Sequence, residues 1–102
     1  MGDSKELWIS LDEEIEAEPV TLGRYTADDF ISNPKQVCIV ASRYKFVSKM
    51  LDGVATALEI GCGDGFGSVI VAKSVGKLLC ADINVALLAE NAKRNAFSNN
   101  VE

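Results

Sequence analysis

The sequence of 102 residues contains no histidine, which excludes imidazole acid–base chemistry from within this chain. Its three cysteines, Cys38, Cys62 and Cys80, are odd in number and never at CxxC spacing. Together these two facts leave neither a disulfide framework nor the ligand set of a zinc site, so no metal is expected. The cysteines read as small reduced hydrophobes. Long hydrophobic runs are missing too, since the apolar stretches 37–41 and 69–72 are far too short to span a bilayer. Residues 1–6 are acidic where a signal peptide would be basic. These absences predict a soluble, cytoplasmic protein without a membrane partner. There is no basic stripe either, which counts against nucleic acid as a partner.

What is present is one domain's worth of chain, with 48% hydrophobic residues to build a modest core. The formal charge of −5 is unevenly placed: residues 1–29 carry nine acids against two bases, and residues 30–102 carry six acids against eight bases. The chain divides accordingly into an acidic N-terminal segment with an amphipathic helix, 1–53, and a βαβα half, 54–102.

Residues 1–25 mix acids with a few large apolar groups and hold no sustained period, so they read as mostly irregular. Thr26 and Asp29 stand three apart, as in a capping box, and predict a short helical turn through Phe30 and Ile31. Asn33 and Pro34 then open a helix, as cap and first position. Val40, Tyr44, Val47 and Leu51 mark its inner face, while Lys35, Arg43, Lys45 and Lys49 lie mostly off that face and read as solvated. Asp52 and Gly53 end it. The run 55–60 suits a strand buried on both faces. A helix is expected over 66–75, stopped by Gly76, then a strand over 77–81 closing on Asp82. A last helix follows over 85 to about 97, capped by Asn84. Strand, glycine loop, helix, strand, helix is the opening of an open parallel α/β sheet.

The loop after the first strand carries Gly61, Gly63, Gly65 and Gly67 at every second position. Such a loop lies at the carboxyl edge of the sheet, where bare backbone admits a ligand. The dinucleotide register GxGxxG fails, because Phe66 or Ser68 stands where its third glycine belongs. A P-loop fails as well, for lack of Gly-Lys-Ser/Thr.

Glu59-Ile60-Gly61-Cys62-Gly63-Asp64-Gly65, followed by Cys80-Ala81-Asp82, resembles the S-adenosyl-L-methionine site of class I methyltransferases. The resemblance covers residues 55–97. It implies a Rossmann-like open parallel sheet, here truncated after the second β-α unit, where the family's third strand would begin. It also implies that the chain is the cofactor-binding portion of a longer enzyme, or a product that associates through its open sheet edges. By the same resemblance Glu59 faces the methionine amino end, and Gly61, Gly63 and Gly65 let the cofactor lie close. Asp82 accepts from the ribose hydroxyls, Ile83 packs on the adenine, and Cys62 and Asp64 are loop positions. The segment 1–53, with Tyr25, Arg43 and Tyr44, falls where the family often builds a lid or substrate wall, although the face of Tyr44 suits helix packing.

Each residue also has a plainer reading. Glu59 fits a buried strand acid, Asp82 a helix cap, and the glycines a tight turn. Methyl transfer to a small-molecule or protein acceptor is the leading expectation, with no catalytic residue nominated. Aminopropyl transfer of the polyamine-synthase type, a non-catalytic cofactor- or partner-binding chain, and nicotinamide binding are the alternatives.

Overall fold

A computed structural model describes residues 3–16 and 18–102; Met1, Gly2 and Ala17 of the N-terminal segment lie outside the described residues. The elements run α1 (Ser4–Glu13), α2 (Arg24–Ser32), α3 (Pro34–Met50), β1 (Thr56–Ile60), α4 (Ser68–Ala72), β2 (Lys77–Ala81) and α5 (Val85–Arg94), the last continued by a 3₁₀ turn, Asn95–Phe97. β1 and β2 are parallel, in register from Thr56 opposite Lys77 to Ile60 opposite Ala81. The chain is thus a small α/β unit around a two-stranded parallel sheet.

The last residues extend this sheet by one rung. Leu78 N–H donates to the Asn100 carbonyl (2.8 Å), Glu102 N–H donates to the Leu78 carbonyl (2.8 Å), and Val101 forms a parallel bridge with Leu78. Backbone groups alternate in direction along a strand. Leu78 therefore addresses this segment, whereas the neighbouring Lys77 donates to Ala55 (2.9 Å) on the β1 side. β2 is the middle of three parallel segments. The Asn100 side chain reinforces the arrangement by donating to the Ala72 (2.7 Å) and Val75 (3.1 Å) carbonyls at the end of α4.

The core lies on one face of the sheet. Val71, Ala72, Val75 and Leu78 are buried together, and Tyr44, Leu51, Ala57, Cys80 and Val101 pack around them. The expectation of a strand buried on both faces is corrected here. Ala57 and Glu59 face the helices, but Thr56, Leu58 and Ile60 are exposed, Ile60 at 81%. Period-two alternation puts these three on the opposite face, which no helix covers among the described residues.

Other local expectations meet mixed outcomes. Asn33 and Pro34 do open α3, yet the Asn33 side chain makes no capping hydrogen bond. Asn84 caps α5 as expected, its Oδ1 accepting from Ala86 (3.1 Å) and Leu87 (3.3 Å) N–H. The segment read as irregular contains α1, started by Asp3, whose Oδ1 accepts from Glu6 N–H (2.9 Å). α2 begins at Arg24, two residues before the capping-box position. The reason is distant: the Thr26 hydroxyl bonds to Asp64 rather than to its own helix. α4 is shorter than the 66–75 helix expected, because the glycine-containing turn keeps Phe66 and Gly67 out of it. Among the described residues no helix is long and apolar enough to cross a membrane, and all three cysteines are free.

Leu78 is 1% exposed at the centre of this core. Leu78→Ala is expected to lower stability by about 2–5 kcal/mol, the range for truncating a buried leucine, read from urea unfolding of wild type and variant.

Candidate functional site

The residues singled out in the sequence converge on the carboxyl ends of β1 and β2. Asp82, just past β2, holds the glycine loop directly: Gly63 N–H donates to its Oδ2 (2.8 Å) and Asn84 N–H to its Oδ1 (2.8 Å). These bonds, Asn84's first, hold the Asp82 carboxyl below the usual carboxylate range. The helix cap is therefore Asn84, and Asp82 is a fixed anion beside the loop. A carboxylate has about four lone-pair sites. Each Asp82 oxygen spends one on backbone and keeps another. A depression of about 440 Å³ opens here, lined by Ile60, Gly61, Ala81, Asp82 and Ile83.

The four glycines divide into two kinds. Gly61 and Gly63 adopt left-handed backbone (φ +76° and +58°), and a Cβ on either would meet nothing within 4 Å. They border open space. At Gly65 a Cβ would strike the Asn91 side chain, and at Gly67 the ring of Tyr44. The bareness of those two positions is used by the protein itself.

Glu59 points to the helix side of β1. The Tyr44 hydroxyl donates to its Oε2 and the Ser68 hydroxyl to its Oε1 (2.7 Å). This carboxylate ties α3, β1 and α4 together, with Gly67 bare so that the Tyr44 ring can reach it. Burial first, then the bond to Glu59, pushes the Tyr44 phenol well above its ordinary value, so it stays a donor. Cys62 is buried, and burial raises its thiol above the ordinary value; it packs as a neutral hydrophobe.

Asp64, left without a role by the sequence, is buried and carries one. Thr26 N–H donates to its Oδ2 (2.9 Å), as does the Thr26 hydroxyl (3.0 Å), and Phe66 N–H donates to its Oδ1 (3.2 Å). Gly23, the N-cap of α2, has no side chain with which to cap, and the carboxylate of a residue 38 positions later than Thr26 supplies that function. Arg94 donates to the Asp64 carbonyl and Glu90 accepts from Arg24 N–H (3.1 Å), so α5 clamps the same junction. Asn95 donates to the Gly65 carbonyl (3.0 Å) and to Asn91 Oδ1 (2.7 Å). No short-range pattern could have revealed these partners of Glu59 and Asp64.

A second cavity, of about 210 Å³, lies beneath α3 and is lined by residues including Tyr44, Val47, Leu51, Ala57 and Val71. Its lining is about as apolar as that of the depression at Asp82, but the Glu59 oxygens that border it are already bonded, whereas those of Asp82 keep free lone pairs. The open depression, with free polar valences, is the better seat for a polar ligand. Among the described residues no group of three or more His, Cys, Asp or Glu could hold a metal ion. The chain matches no protein-family model and no curated protein.

Two outcomes follow. Gly67→Ala forces the Tyr44 ring aside and is expected to lower stability by about 1–3 kcal/mol, as overpacking does. Gly63→Ala meets no side chain, and its expected cost in the same measurement is the left-handed backbone strain alone, about 1 kcal/mol. Secondly, the depressed Asp82 pKa means that its contribution to loop order is present above the ordinary value of 3.8 and lost as pH falls through the lower folded value. The Gly63 and Asn84 amide resonances are expected to titrate together with a midpoint below 3.8, and Asp82→Asn to abolish that transition.

Proposed function

We propose that this chain binds S-adenosyl-L-methionine and serves as the cofactor-binding part of a class I methyltransferase of Rossmann-like type, acting on a small-molecule acceptor. The observation that carries the reading is the pairing of open backbone at Gly61 and Gly63 with the fixed Asp82 carboxylate, at the carboxyl ends of two parallel strands. The residues fit the cofactor's chemistry. A Cβ at Gly61 would enter the depression and one at Gly63 the open space beside it, and the free lone pairs of Asp82 suit ribose hydroxyls. An anion there favours a sulfonium- and ammonium-bearing ligand and disfavours a pyrophosphate.

When bound, S-adenosylmethionine supplies an electrophilic methyl group on its sulfonium. The chain's own part is binding and orientation. Asp82 accepts from the ribose, with its charge held by Asn84 and Gly63. Ile83, fully exposed beside the depression, offers an apolar surface to the adenine. Glu59 acts at one remove: bonded to Tyr44 and Ser68, it sets the path of β1 into the loop. Gly65 and Cys62 shape the loop from inside.

Calorimetric titration with S-adenosylhomocysteine isolates binding from chemistry. Saturable binding to the wild-type chain is expected, weakened on the order of tenfold or more by Asp82→Ala, as for loss of hydrogen bonds to a charged acceptor. Absence of heat with the wild type, or tighter binding of NAD than of S-adenosylhomocysteine, would overturn the assignment.

A further inference from the structure

α1 is a helix without a seat. None of its ten residues is buried, and Trp8, the only tryptophan of the chain, is 69% exposed. At 100° per residue Leu7, Trp8 and Leu11 form one apolar stripe, flanked by Asp12, with Lys5 just beyond it, on one side and by the C-cap Glu14 on the other. An isolated helix of this length is marginal in water below about 12–15 residues and needs an apolar surface to rest on. The radius of gyration, 16.0 Å against about 13 Å for a compact domain of this size, reflects the same lack of docking.

The complementary surface is on α3. That helix contains no acidic residue, and its inner face turns Tyr44 and Leu51 to the core. On the opposite side Ile39, Phe46 and Met50 are exposed at i, i+7 and i+11, one outward stripe flanked by Arg43 on one side and Lys49 on the other. An acidic-edged apolar ridge thus has a basic-edged apolar counterpart of matching chemistry in the same sequence.

We propose that α1 of one copy docks on the outer face of α3 of a second copy, giving a two-fold dimer in which each chain both offers and receives a helix. The reciprocal exchange closes on itself, as an isologous interface must, and doubles the apolar area covered. Asp12 and Glu14 then meet Arg43 and Lys49 across the seam. The acids of α1 would be repelled by an anionic membrane, which disfavours a lipid surface as the occupant.

Sedimentation of the full chain across a concentration series tests this, with Trp8 fluorescence followed in parallel. Dimerisation is expected, accompanied by a blue shift of Trp8 emission as its ring leaves water. Asp12→Lys with Glu14→Lys should abolish the dimer, as should Arg43→Glu with Lys49→Glu. Combining all four should restore it, which loss of folding could not imitate. A wild-type chain that stays monomeric at every concentration, or a dimer that survives either pair of reversals, overturns the proposal.

Discussion

The Glu59 carboxylate is the joint on which the rest of the structure turns. It leaves β1 one residue before the strand's carboxyl end, toward the helices, and accepts from Tyr44 on α3 and Ser68 at the start of α4. A partly buried anion must be hydrogen-bonded, or its desolvation is uncompensated. Here the two donors come from two different helices, so satisfying one charge fixes the position of three elements. Hydrogen bonds to charged groups contribute about 1.5–3 kcal/mol each, comparable with burying one core side chain. The Tyr44 ring reaches Glu59 only because Gly67 leaves its space empty.

A second carboxylate repeats the logic at the other end of the loop. Asp64 caps α2 from 38 residues away and is itself pinned by Arg94 through its carbonyl. The loop is consequently held from below by Glu59 and Ser68, from the N-terminal side by Asp64 and Thr26, and from β2 by Asp82. Of its four glycines, Gly61 and Gly63 are left facing open space. A loop so restrained presents its open backbone in one conformation, and a preorganised site loses less entropy on binding.

Charge follows the same division. The bonds within the fold concentrate on Glu59, Asp64 and Asp82, each held by at least two donors. Most of the remaining acids crowd residues 1–29, three of them, Glu6, Asp12 and Glu13, on the unburied α1. α3, facing the core with one side and solvent with the other, is wholly basic among its charged residues. The segregation is too complete along the chain to serve local ion pairing. The single ion pair among the described residues, Lys77 with Glu102, lies exposed at the sheet edge and adds little.

Much of the βαβα order was legible in the residues because its signals act within about four positions. Asn84 caps α5, Pro34 opens α3, the apolar run 55–60 marks β1, although as a strand buried on both faces, and an acid closes β2. Glycine at every second position announced a bare loop, and the acid at Asp82 announced its companion. The α1 helix was missed because its cap, Asp3, and its stripe compete with a dense run of acids that hides the period. The sequence by itself determined the elements from α3 onward, their order and the existence of an open loop next to a carboxylate. Only the tertiary structure decided which two glycines face outward and which two receive Asn91 and Tyr44. It alone decided that Glu59 turns inward and that Asp64 caps a helix 38 residues away. Backbone propensity and capping are settled between near neighbours, whereas the partner of a buried charge is whichever donor the packing of distant segments brings within reach.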